Sequence, residues 1–414
     1  MSSIERRFPS LHDHHSHVSL YASFEGLPDV GGLEPKEALE LLRGLPRDRL
    51  SLVKGWRTDR LSLGTGGSWA ALEDMPPLVL VNASLHGYAL SPAALPYIEA
   101  LWPEFAREGS SPTSGALWSE RNLPRLFVFY GRVAGLDQGK LMAFMDSMAR
   151  LGVGSLEDMT LCGEEALELM SSPPFEGRIR AWATPEVYRE LSPRARERCA
   201  GIKIFLDGAL GARSAALDAP FRGGGNGALL RTDEALMDLL GELAGCGKSL
   251  SAHAIGHEAI AQLLRCLERL EAAGSRFPAV RIEHAQFISL EQAMSCKDLG
   301  VVLSMQPNFN SDSADYADRL ISRHREENDP FRMLIDRARF VAGEDLVFGS
   351  DGMPHGPEYA LAMSLFPAFE GQRLSLDEFE AGYGSARGYT GQGSLFSIDE
   401  EAKRVRRLAY EGFL

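Results

Sequence analysis

The chain has 414 residues, 44% of them apolar and 24% charged, the balance of an ordinary globular protein rather than a disordered or membrane-embedded one. A formal net charge of −14 argues against nucleic acid or an anionic membrane as partner. Five scattered cysteines without a CxxC pair exclude a disulfide scaffold or zinc ribbon, and with no leader pattern or membrane-length apolar run they fit a cytoplasmic protein.

In chain order, residues 1–17 read as a first strand that ends in Asp13-His14-His15-Ser16-His17. Residues 18–150 are too apolar and aromatic for a linker. They carry a strand-like run at 78–82, a helix pattern at 35–42 and a Gly/Ser-rich patch at 109–115, and are expected to form an inserted lid or subdomain. From 151 to 396 short β-rich runs alternate with helical patterns. The strands fall at 153–158, 179–184, 202–207, 250–255, 280–284, 301–306 and 346–351. Between them, Thr184-Pro185 supplies a helix cap with a first-turn proline, and the segments from Ser289 and Ser375 read as capping boxes. Residues 397–414 read as a charged C-terminal helix. Eight strands alternating with helices predict an α/β fold, a (β/α)8 TIM barrel with a large insertion between strands 1 and 2.

Metal-ligand residue types close these strands. On a strand, His15 and His17 point to one face and can address one ion. His12 and His14 point the other way and read as expendable, while Asp13 can orient a ligand. Lys203 lies in an apolar strand, where burial favours the neutral amine; that amine can add CO2 to give a carbamate able to bridge two ions. Read alone, Lys203 would pair with Asp207 or reach the rim. His253 and His284, read alone, would be satisfied core histidines, but at consecutive strand ends they form a second-metal pair. Asp351 closes the last strand; its alternative is a turn-forming Asp-Gly. Together the segments describe a two-metal hydrolase site, in which a water bridging the ions loses its proton near neutrality and Asp351 shuttles that proton.

The blocks GIKIFLDGALGARSAAL, SAHAIG, VRIEHAQ, VVLSMQP and LVFGSDGMP, with LVKGWRTDRL and LVLVNASLHGYALSPAAL in the insertion, resemble the amidohydrolase superfamily. The resemblance is to its YtcJ-like amidohydrolase 3 family, which includes N-substituted formamide deformylases. It implies that His15 and His17 hold one ion with Asp351, that His253 and His284 hold the other, and that a carboxylated Lys203 bridges them. It also implies substrate contacts from His86 and Arg213. Two departures stand out. The family's HAIGD block ends here in His257, and the β-rich ends of the usual β-sandwich subdomain are expected to be missing.

The expected activity is hydrolysis of a C–N bond, of amide or N-formyl type, in a small-molecule substrate. Two divalent ions are expected, zinc first, with manganese, iron, nickel or cobalt accepted by the same donors; a homo-oligomer is left open. The competing readings are a cyclic-amide hydrolase or deaminase of the same superfamily, for which Lys203 has no use, and a non-catalytic barrel that binds without turnover.

Overall fold

The computed structural model describes residues 3–57, 60–63, 69–83, 85, 87–110, 115–389, 391 and 393–408. It divides into two compact units, one of Met1–Val18 with Phe144–Leu414 and one of Ser19–Ala143. The strands, in chain order, are β1 (Ile4–Phe8), β2 (Leu11–Ser16), β3 (Ser51–Trp56), β4 (Leu78–Asn82), β5 (Tyr88–Leu90), β6 (Val153–Asp158), β7 (Ile179–Ala183), β8 (Gly201–Phe205), β9 (Ser249–Ala254), β10 (Val280–His284), β11 (Val302–Met305), β12 (Leu346–Phe348), β13 (Ser394–Asp399) and β14 (Arg404–Leu408). No described helix is long and apolar enough to cross a membrane.

In the larger unit, eight parallel strands run in the hydrogen-bonded order β12-β11-β10-β9-β8-β7-β6-β2, a nearly closed (β/α)8 barrel with its insertion between the first two barrel strands. Every residue of β6 is buried, as expected for a strand with the lumen on one face and helices on the other. The caps act as their sequences predict: Thr184 accepts from Val187 N, and Ser289 and Ser375 close capping boxes with Gln292 and Glu378.

Closure between the first and last strands is made by a side chain. Asp13 Oδ1 accepts from His15 N at 3.0 Å and Ser350 N at 2.9 Å, and its Oδ2 accepts from Ser350 Oγ at 2.5 Å. One backbone bond crosses the same seam, Asp351 N to His15 O at 2.7 Å. A Cβ on Gly349 would lie 2.3 Å from His15 N, so only glycine allows this approach.

The two ends of the chain differ from expectation. Residues 1–17 contain two strands, and only β2 belongs to the barrel. From 394 to 408 the chain is a β-hairpin rather than a charged helix, and residues 409–414 of the expected helix lie outside the described residues: β13 pairs antiparallel with β14 and with β1, giving a small three-stranded sheet where the β-rich ends were expected to be absent. The helix-forming Glu, Lys and Arg of the tail outweighed a period-two signal in reading the sequence. Phe396, Ile398 and Val405 are buried at alternate positions, with the Phe8 and Phe396 ring centroids 5.6 Å apart.

In the smaller unit, β3 pairs parallel with β4, and β4 pairs antiparallel with β5. The amphipathic helix Pro35–Arg43 places Ala38 and Leu42 into a core with Val53, Leu78 and Leu80. Tyr88, Trp102, Phe105, Trp118 and Phe129 form a second, aromatic cluster, with Phe105 stacked on Trp118 at 5.1 Å. Residues 111–114 of the predicted Gly/Ser patch lie outside the described residues.

Between β11 and β12 the chain is pinned by buried polar groups. Asp329, at φ 50°, donates its N–H to Gln286 O at 2.9 Å, and the Gln286 amide donates to Asp312 Oδ2 and Asn328 Oδ1, each at 2.9 Å. Full burial, with the charge of Asp312 adding to it, pushes the Asp329 carboxyl well above its ordinary value. The folded state therefore keeps a proton that the unfolded chain releases above about pH 4, and stability falls as pH rises until the buried carboxyl itself ionises. The expected slope is about 1 kcal/mol per pH unit. Asp329→Asn, which tolerates the same backbone angle, should flatten that part of the stability–pH curve in denaturant melts between pH 5 and 8; an unchanged slope would remove Asp329 as its source.

Candidate metal centre

Three of the expected ligands meet across the seam. His15 Nε2 and His17 Nε2 lie 3.6 and 3.0 Å from Asp351 Oδ1. One nitrogen from each ring and one Asp351 oxygen fall within 4.8 Å of one another. His15 ends the barrel strand, whereas His17 lies just past it, and Asp351 lies three residues beyond β12 at φ 55°. The left-handed backbone at Asp351, and at His284 (φ 73°), turns these side chains away from strict strand alternation.

The second pair adjoins the first. The His284 ring lies 4.9 Å from that of His15 and 4.5 Å from that of His253, centroid to centroid. Each of these three rings has one nitrogen engaged by a fixed acceptor: His15 Nδ1 by Glu283 Oε2 at 2.6 Å, His284 Nδ1 by Gln306 Oε1 at 2.7 Å, and His253 Nε2 by Gly208 O at 3.2 Å. If each ring donates there, its other nitrogen keeps a lone pair. Burial drives all three toward the neutral form, His253 down to about 3, and the nearby charge of Lys203 acts in the same direction.

Lys203 is 1% exposed, and its ammonium has no hydrogen-bond partner. The alternative pairing with Asp207 is not made: Asp207 accepts from the backbone N–H groups of Ala216, Ile255 and Gly256. Burial lowers the Lys203 amine to about 8, with Glu283 opposing the shift. Asp351 is held far below the ordinary carboxylate range. Burial opposes its ionisation, but the adjoining His15 and the hydrogen bond from His17 outweigh it.

Beneath the ligands runs a charge network that sequence reading left unassigned. Glu283 accepts from Ser251 Oγ at 2.6 Å and Arg281 Nε at 2.5 Å while holding His15. Arg281 Nη1 also reaches Glu157 Oε2 at 3.1 Å, and Trp182 Nε1 reaches the same oxygen at 2.6 Å. His12 and His14 are not expendable. His12 is buried and His14 part-buried, each lies 3.4 Å from Glu157 Oε1, and His12 Nδ1 bonds Ser155 Oγ at 2.7 Å. His355, also unassigned, bonds Ser16 Oγ at 3.1 Å. The available signal was the charge pattern of Arg281-Ile282-Glu283, two ionisable residues on one face of an otherwise apolar strand.

Of the two expected substrate contacts, only Arg213 lies within the described residues. His86 lies outside the described residues. Arg213, at φ 56° in the segment after β8, is 44% exposed and pairs with Asp318 at 4.0 Å, not with any of the six ligand candidates.

The donor set suits divalent first-row ions: imidazoles with one nitrogen engaged, an ionised carboxylate, and a buried amine without a hydrogen-bond partner. The amidohydrolase family model Amidohydro_3 matches residues 143–370. The amidohydrolase-type protein YtcJ of Bacillus subtilis (strain 168) is 31% identical over 145 residues, 34% of this chain and 27% of its own length. LONG AFTER FAR-RED 3 of Arabidopsis thaliana is 31% identical over 154 residues, 35% of this chain and 26% of its own length. The aligned part is therefore about a quarter of either curated relative. A metal-dependent hydrolase from Pyrococcus horikoshii OT3 shares the fold at TM-score 0.66 and 24% identity, over 92% of this chain and 80% of that one.

Glu283→Gln keeps the shape of the side chain but removes the negative charge that Arg281 Nε and His15 Nδ1 face, leaving Arg281 with Glu157 alone. It should cost about 3 kcal/mol of stability by denaturant melt and weaken metal affinity about 10- to 100-fold in a chelator competition. Unaltered affinity would show that Glu283 does not orient a ligand.

Proposed function

The chain belongs to the amidohydrolase family, whose model spans residues 143–370, and from that premise we propose that it is a metal-dependent hydrolase that cleaves a C–N bond of amide or N-formyl type. The observation that carries the reading is the stranded Lys203 amine amid three histidines whose nitrogens are already half engaged. In this reading His15, His17 and Asp351 hold one ion, His253 and His284 hold the other, and Lys203 lies between. When bound, two such ions, zinc by donor type, lower the pKa of a water and polarise the substrate carbonyl.

The residues supply the remainder. With its amine lowered to about 8, Lys203 has an appreciable neutral fraction near neutral pH. That neutral amine, formed when the ammonium gives up its proton, adds CO2: an N–C bond forms as one C–O π bond opens and a second proton leaves, giving an anion with two oxygen donors. Glu283 and Gln306 hold the His15 and His284 rings in place, so little reorganisation is left for the reaction. Asp351, ionised at working pH, accepts the proton of the attacking water and returns it to the departing nitrogen as the C–N bond breaks.

Chelation should abolish turnover of a panel of N-acyl, N-formyl and cyclic amides, and zinc or manganese should restore it. Asp351→Asn should lower kcat about 10²- to 10⁴-fold. Lys203→Ala should lower the count of ions held by the barrel ligands from two toward one, read by elemental analysis as one ion fewer per chain than the wild type. A protein that binds no divalent ion would end the proposal. One ion per chain, unchanged by Lys203→Ala, would point instead to a single-metal deaminase-type centre.

A further inference from the structure

His257, the residue that departs from the family's HAIGD block, opens the helix His257–Ala272 after β9. It faces two residues from other strand-to-helix connections: Asp218, in the segment that follows β8, and His324, in the helix Ser322–Glu327 that follows β11. One ligand atom from each of the three lies within 4.8 Å of the others. His324 Nε2 is 2.8 Å from Asp218 Oδ1, and His257 Nδ1 is 3.5 Å from the same oxygen. Glu327 Oε2 lies 3.8 Å from His257 Nε2. None of these residues belongs to the barrel centre.

We infer that Asp218, His257 and His324 form a separate site for a divalent first-row cation of the zinc type. Two imidazoles and a carboxylate are common donors for such an ion.

The hydrogen bonding within the cluster favours this over a plain ion-pair clamp. His324 is 0% exposed, and its Nδ1 has no hydrogen-bond partner, so Nε2 carries the whole polar function of the ring. That nitrogen faces a carboxylate oxygen at 2.8 Å, which needs a proton, and Arg323 Nη2 at 3.2 Å, which needs a lone pair. One nitrogen cannot serve both. His257 Nδ1 is likewise buried without a hydrogen-bond partner. A cation accepted by both imidazoles would remove the conflict at His324 Nε2 and give His257 Nδ1 a partner.

Arg323 is the competitor. Its guanidinium forks onto Asp218 at 2.8 and 3.0 Å and also reaches Glu327 at 3.1 Å. At 45% side-chain exposure it is free to swing into solvent when an ion arrives. The ion would then tie together three connections that leave the C-terminal ends of barrel strands.

The test uses the full-length protein, stripped with a chelator and titrated with Co²⁺ by absorption and with Zn²⁺ by equilibrium dialysis and elemental analysis. The wild type should hold one equivalent more than His257→Gln. Arg323→Gln, freed of the competing cation, should bind that equivalent several-fold tighter, where a plain clamp would gain nothing. Asp218→Asn, at a part-exposed position, gives the same reading should His257→Gln fail to fold. His253→Gln should lose ions from the barrel centre yet keep this equivalent, so failure of the hydrolase reading and failure of this site are told apart. Equal stoichiometry and affinity in wild type, His257→Gln and Asp218→Asn would overturn the inference.

Discussion

The carboxylate of Asp13 holds the last barrel strand to the first, and the candidate centre depends on that closure. β12 and β2 share no strand ladder of the kind that joins the other neighbours. Asp13 bridges them by accepting from the Ser350 amide, the Ser350 hydroxyl and the His15 amide. Burial raises this carboxyl to about 6, so it remains an ionised acceptor near neutral pH. The same contact brings Asp351 against His15 and His17, so barrel closure and assembly of the first ligand group are one event. Gly349 matters for the same reason, since any side chain there would force the seam apart.

A second constraint is charge. The floor of the centre buries Glu157, Arg281 and Glu283 together with Lys203. Breaking such a network costs several kcal/mol because a stranded ion is left behind. Arg281 answers both carboxylates, and burial is outweighed there: Glu157 and Glu283 stay well below the ordinary carboxylate range, held first by the Arg281 charge. Lys203 is the one member without a hydrogen bond. A group so costly to bury persists where a further partner compensates it, which is why it is the most informative residue of the site.

Much of the fold was legible because parallel barrel strands are buried on both faces and read as short apolar runs between helix caps. Seven runs plus the segment ending at His17 correspond to the eight barrel strands: 153–158 and 280–284 match at both ends, five others differ by no more than three residues at an end, and the first segment also takes in β1. The tail was misread because its charged residues favour helix locally, while its buried face is shared with β1, almost 400 positions away in sequence. Glu283 and Gln306 went unassigned for a related reason. Each is an ordinary strand residue until the ring it orients is in place.

By itself, the sequence determined the strand alternation, the helix caps and the identity of the residues at the strand ends, because these follow from local periodicity and side-chain chemistry. The tertiary structure decided which nitrogen of each histidine is engaged, which carboxylates lie beneath them, and that Lys203 is left without a hydrogen bond. It also moved His12 and His14 from the margin into the buried network, and brought His257 to Asp218 and His324. Those outcomes depend on contacts between segments up to hundreds of residues apart, where burial and distance set the protonation and hydrogen bonding of each group.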